Sequence, residues 1–143
     1  MAREVGKLRR SIGINIGAIE DDESVIPFEE YPLSPSARDV LIRTVAEHIE
    51  ATGVLPDERT ITIEERQKTI ILNTCAGSKI NETLAYLIQA FGSLKEGKMG
   101  RTLIDPYRIS IQIPGTTTED IIGWLRETPP AAVPSLMLSL IHI

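Results

Sequence analysis

Residues 60–73 read Thr60-Ile61-Thr62-Ile63-Glu64, Glu65-Arg66-Gln67-Lys68 and Thr69-Ile70-Ile71-Leu72-Asn73. The first run alternates with period two and is rich in β-branched residues, the pattern of a half-buried strand. The third run is a second strand, with Ile70 and Leu72 on one face and Ile71 on the other. The four polar residues between them predict a hairpin turn, although no Asn-Gly pair marks it. A third strand follows at Tyr107-Arg108-Ile109-Ser110-Ile111-Gln112-Ile113, with the three isoleucines pointing inward and Arg108, Ser110 and Gln112 outward.

Around these strands the apolar spacing turns helical. Val5, Leu8 and Ile12 recur at three and four, which predicts a helix over residues 3–12 with a basic outer face. Gly6 and Gly13 weaken it. Ser34 and Pro35 open a second helix as N-cap and first residue; Ala37, Val40, Leu41, Val45 and Ile49 line one side, and Gly53 stops it. His48 lies beside Ile49 at the edge of that stripe. A third helix runs over residues 79–94, with Ile80, Leu84, Leu87, Ile88 and Phe91 buried and Ser78 as N-cap. Thr116 to Glu119 match a capping box for a last helix carrying Ile121, Ile122, Leu125 and a core Trp124. The fold class expected is α+β: a small, mainly antiparallel sheet of about three strands packed by helices.

Composition narrows the function classes. The 143 residues are 42% hydrophobic and 24% charged, as in an ordinary globular domain. The single cysteine, Cys75, forms no internal disulfide, and no cysteine–histidine cluster suits zinc. The start of the chain lacks a signal-peptide core and no apolar run reaches the ~20 residues of a membrane span, so a cytoplasmic protein is expected. Charge is uneven: +3 over residues 1–19, −10 over 20–65, +4 over 66–110 and −2 beyond, for a total of −5. Phosphate-binding glycine fingerprints are missing. A nucleophilic Cys75 would need a base, and only His48 and His142 exist. The acids at residues 20–24 lack the ligand spacing of a calcium loop.

The segments Thr62-Ile63-Glu64, Ile70-Ile71-Leu72-Asn73-Thr74-Cys75-Ala76-Gly77-Ser78-Lys79-Ile80-Asn81-Glu82-Thr83-Leu84 and Asp105-Pro106-Tyr107-Arg108-Ile109 resemble the Lhr (large helicase-related) family, in its archaeal form. Residues 3–10 and Leu55-Pro56-Asp57-Glu58-Arg59 look like the same family's region downstream of its two RecA-like motor domains. Members are superfamily 2 (DEAD/DEAH-box) ATP-dependent helicases with roles in DNA repair. The resemblance implies a parent that uses ATP and magnesium to track along single-stranded DNA and open duplexes or RNA:DNA hybrids. This chain carries no ATPase motif, so the implied role is non-catalytic: residues 1–128 as a partial accessory domain, working with the motor domains in cis. Leu84 stands about where bacterial members carry a tryptophan, so an aromatic stacking role does not transfer.

The candidate nucleic-acid contacts are Lys79 and Asn81 at the start of the third helix, where the alternative is that Ser78 and Asn81 simply cap it, Lys95, Lys98 and Arg101 in the basic loop after it, and Arg108 on the third strand, which either reaches nucleic acid or pairs with Asp105. A helix start exposes unpaired N–H groups and partial positive charge, which suits a phosphate oxygen. Residues 129–143 are expected to be a truncated tail, partly foreign in origin, on a fragment of a larger domain. The composition leaves one rival open: a stand-alone module that binds a protein partner through its acidic 20–65 block.

Overall fold

The computed structural model describes residues 1–97 and 99–128. Its elements are α1 (Ala2–Asn15), a 3₁₀ turn (Phe28–Glu30), α2 (Pro35–Thr52), β1 (Thr62–Arg66), β2 (Thr69–Asn73), α3 (Ser78–Glu96), β3 (Arg101–Ile104), β4 (Arg108–Gln112) and α4 (Thr118–Glu127). The fold is α+β, as expected. Its sheet has four antiparallel strands rather than three, in the order β1-β2-β4-β3. The additional strand, β3, is four residues long and starts at Arg101, the last residue of the stretch read from sequence as a basic loop.

The β1–β2 turn is tighter than the sequence suggests. Arg66 pairs with Thr69, which leaves Gln67 and Lys68 as a two-residue turn with φ of 50° and 64°. Positive φ at both central residues is what a hairpin of this length needs to match strand twist, and neither side chain favours it. The strand therefore runs through Glu65 and Arg66. Ile61 falls outside it and is exposed.

One face of the sheet is buried. Ile70, Leu72, Ile109, Ile111 and Ile113 pack against Ala85, Ile88 and Phe91 of α3 and Ile121 and Trp124 of α4. Phe91 and Trp124 stack with ring centroids 5.9 Å apart, an arrangement worth ~0.5–1.5 kcal/mol beyond the area it buries. α4 is capped one residue later than the sequence match: Thr117 is the N-cap and Asp120 closes the capping box. α3 begins at Ser78 with Gly77 as its N-cap, so Ser78 is the first helical residue instead of the cap. Ile80, expected in the buried stripe, is exposed because it lies in that first turn, beyond the sheet's edge.

The remaining helices form a second cluster: Ile12, Phe28, Val45 and Leu55, with Leu8, Leu41, Ile42 and Ile49 partly buried around them. Ser34 caps α2 and Gly53 ends it in the left-handed conformation, as expected. Val40 is exposed, and Ile42 takes the inward place. α1 is longer than its spacing predicts because its glycines are packing positions. A Cβ on Gly6 would stand 2.6 Å from the Glu58 backbone nitrogen and 2.9 Å from the Cys75 Cβ, so glycine lets α1 press onto the 56–58 segment. Ion pairs fasten the same junction. Arg10 bridges Asp22 and the buried Asp57, each at 3.2 Å, and Arg59 reaches Asp22 at 3.0 Å. Asp22 and Asp57 are thus paired within the fold, while most acids of the 20–65 block are exposed. The tail at 129–143 and its expected origin lie outside the described residues.

Candidate nucleic-acid interface

Antiparallel sheets can leave one face to solvent, and among the described residues no helix packs over the second face of this one. Residues alternating with the buried isoleucines point away from α3 and α4: Thr69, Ile71 and Asn73 on β2, Arg108, Ser110 and Gln112 on β4, Arg101 and Leu103 on β3, and Thr62, Glu64 and Arg66 on β1. The register sets them in rows. Arg66 pairs with Thr69, Gln112 bonds the Thr69 hydroxyl at 2.9 Å, and Gln112 pairs with Arg101. The arginines thus close the two ends of one row across all four strands, roughly 15 Å apart at the usual strand spacing. The next row holds Glu64, Ile71, Ser110 and Leu103, the last 75% exposed. In the third row Asn73 pairs with Arg108 and donates to Thr62 at 3.2 Å and to Glu64 at 3.3 Å.

Three exposed guanidiniums from three strands share this face with two carboxylates, Glu64 and, at its end beside Arg108, Asp105. Arg108 is weakly held by Asp105, 3.8 Å away, and its side chain is 58% exposed. The Asp105 carboxylate is occupied in the β3–β4 turn, accepting from the Tyr107 and Arg108 backbone N–H groups at 2.7 and 2.9 Å. The face carries no aromatic residue, so base stacking, worth ~1–3 kcal/mol per base, contributes nothing here. Phosphate contacts from the arginines and apolar contact with Ile71 and Leu103 are what it offers.

The residues singled out from sequence separate into three groups. Arg101 and Arg108 meet on the open face. Lys79 is exposed in the first turn of α3, which packs on the opposite face, so it belongs to the other layer. Its helix start has no side-chain cap. Asn81 is fully buried. Its Oδ1 accepts from the Thr74 hydroxyl at 2.8 Å and its Nδ2 donates to the Asp105 carbonyl at 2.7 Å, so the side chain ties the end of β2 and the β3–β4 turn to α3. Lys95 falls in the last turn of α3, and Lys98 lies outside the described residues.

Sequence reasoning missed Arg66, which it placed in the turn. Counting by two from Thr62 through Glu64 puts Arg66 on their face once the turn shrinks to two residues. It also missed a pocket of mixed lining at the end of the sheet, whose wall includes Arg9, His48, Asn73 and Arg108 with Val45, Leu55 and Pro56. Cys75 is buried there, 3.4 Å from an Arg9 guanidinium nitrogen, and burial pushes its thiol above the usual range. A protonated thiol is a poor nucleophile. Among the described residues no group of acidic, histidine or cysteine side chains could hold a metal, and no helix is long and apolar enough to cross a membrane.

A family model described as DEAD/H associated matches residues 55–141, which takes in the whole sheet, α3 and α4. No curated protein matches. No solved structure does either. With more than half its length matched, the chain belongs to the DEAD/H-associated family and is a DEAD/H-type helicase-associated region.

Proposed function

We propose that this chain is the strand-contacting accessory region of an Lhr-type, superfamily 2 helicase, and that single-stranded nucleic acid lies across the open face of its sheet. The observation that carries the reading is the convergence of Arg66, Arg101 and Arg108 on the sheet face that no described helix covers. ATP and magnesium act, in this reading, in RecA-like motor domains that work with the region in cis. The sheet supplies a charged wall that holds the displaced or tracking strand of DNA, or of an RNA:DNA hybrid, and performs no bond-making step. Lys79 adds positive charge in the other layer, and the basic residues Lys95 and Lys98 remain candidate contacts.

Contacts of this kind fix position and give salt dependence more than sequence choice. Fluorescence anisotropy with a labelled oligothymidylate tests the reading. Binding is expected to be weak and to fall steeply with salt. Arg101→Ala and Arg108→Ala should each flatten the log–log salt slope by about 0.7. Unchanged affinity and slope in the double variant would refute the assignment of this face.

A further inference from the structure

Among the described residues the sheet has two free edges, β1 and β3. The Asp105 N–H donates to the Arg108 carbonyl at 3.0 Å and sets the phase of the β3–β4 ladder. Counting back by two from Asp105, Leu103 and Arg101 turn their backbone groups towards Ser110 and Gln112. The N–H and C=O groups of Thr102 and Ile104 therefore point out of the edge, and no described residue bonds them. Side chains alternate with the same period, which puts Arg101, Leu103 and Asp105 on the open face. Leu103 is 75% exposed and the Asp105 side chain 50%. An edge this bare is a template for another strand.

From this geometry we infer that β3 is a self-pairing edge, which joins two copies of the chain through antiparallel β3 strands around a two-fold axis at Leu103. The register that uses every outward group of the strand bonds Thr102 to Ile104 of the second copy, and the reverse. Arg101 then stands opposite Asp105 of the second copy, twice by symmetry, and Leu103 stands opposite itself. These are non-hydrogen-bonded pairs, in which side chains approach closest. Asp105 Oδ1 serves its own turn; Oδ2, only loosely paired with Arg108 at 3.8 Å, can accept from Arg101 as well. The patch is thus complementary to itself, as a closed dimer demands. The β1 edge is not. Its two-residue turn leaves the backbone groups of Ile63 and Glu65 facing out, and the matching register sets Glu64 against Glu64. Behind the edge, α3 touches both β3 and β4, so its axis lies over the two strands. The two copies of α3 then run side by side at the seam, ~10 Å apart. Gln89 of α3 donates to the Thr102 hydroxyl at 3.0 Å, and Tyr86, one turn earlier on that side, is exposed and available to line the seam.

The inference concerns assembly and does not rest on the proposed function, so the test uses the full chain without nucleic acid. Sedimentation equilibrium follows mass against concentration. A patch this small predicts a weak monomer–dimer equilibrium, with Kd on the order of 0.1 mM at low salt. Leu103 is exposed in the single chain, so Leu103→Lys and Leu103→Glu should fold as the parent does, which circular dichroism checks. Each variant alone sets like charges opposite one another and should lose the dimer. Mixed in equal amounts, the two should pair again, lysine facing glutamate. Arg101→Glu should weaken the dimer about tenfold, since two attractive pairs become repulsive. A chain that stays monomeric at millimolar concentration, or single variants that dimerise like the parent, would overturn the inference. A mixture that remains monomeric would overturn it too, because Leu103 would then not meet its own copy. Growth past the dimer into open-ended oligomers would contradict a closed two-fold pair.

Discussion

Replacing Asn81 with alanine separates a structural from a nucleic-acid role for the one candidate contact that the fold buries. The side chain makes two short hydrogen bonds, from Thr74 Oγ1 at 2.8 Å and to the Asp105 carbonyl at 2.7 Å, at a position with no solvent exposure. Each bond contributes ~0.5–1.5 kcal/mol net. Truncation also strands the Thr74 hydroxyl, in a residue that is itself fully buried, at a further ~1 kcal/mol or more. The expected loss is about 2–4 kcal/mol. For a chain of this length that lowers Tm by roughly 10 °C. Urea unfolding followed by circular dichroism measures the free-energy loss, and a thermal scan measures the shift. The salt slope of oligothymidylate binding by the folded fraction should stay that of the parent chain. A variant as stable as the parent but deficient in binding would show that Asn81 faces ligand and would refute the buried network.

Three further outcomes follow from local geometry. Gly6→Ala drives a Cβ to 2.6 Å from the Glu58 backbone and should cost ~1–3 kcal/mol in urea unfolding, since the obstacle is main chain; a neutral change would mean that α1 does not press onto that segment. Gln67→Asn with Lys68→Gly puts turn-compatible residues where φ is 50° and 64° and should stabilise the hairpin by ~1 kcal/mol, read as a higher urea midpoint at unchanged slope. Asp22 is held down from 3.8 to about 2, first by the Ser24 hydroxyl, then by the Ser24 backbone N–H, with Arg59 and Arg10 adding to it. Its folded pKa lies below the unfolded one, so its contribution is present above about pH 4 and lost as pH falls towards 2. Asp22→Asn should flatten the acid dependence of the urea midpoint in that window, and parallel curves would contradict the assignment.

The parts of the fold legible in sequence were those where one physical rule acts alone. The Ile109, Ile111, Ile113 alternation fixed which side of β4 is buried, and Ser34, Pro35 and Gly53 fixed both ends of α2. Trp124 was correctly placed in the core. The misreadings arose where tertiary contacts override local preference. Gln67 and Lys68 adopt a turn that they do not favour, because strand pairing on either side holds it, and this hid the true length of β1. β3 escaped notice since four residues with a single inward isoleucine give too little alternation to count. Gly6 looked like a helix breaker and is a contact residue. At the candidate interface, Arg108 was legible as basic and outward and Arg101 only as part of a basic loop, and their meeting with Arg66 depends on register across four strands. The pocket at Arg9 and His48 depends on how the helical cluster docks against the sheet, which no periodicity encodes.

The central claim is that the uncovered sheet face holds the strand. Backbone amide NMR during an oligothymidylate titration at low salt tests it directly. The account expects the largest shifts at Arg66, Ile71, Arg101, Leu103, Arg108 and Ser110, with small ones along α3 and α4. Shifts gathered on the helical layer around Lys79, with the sheet face silent, would contradict it.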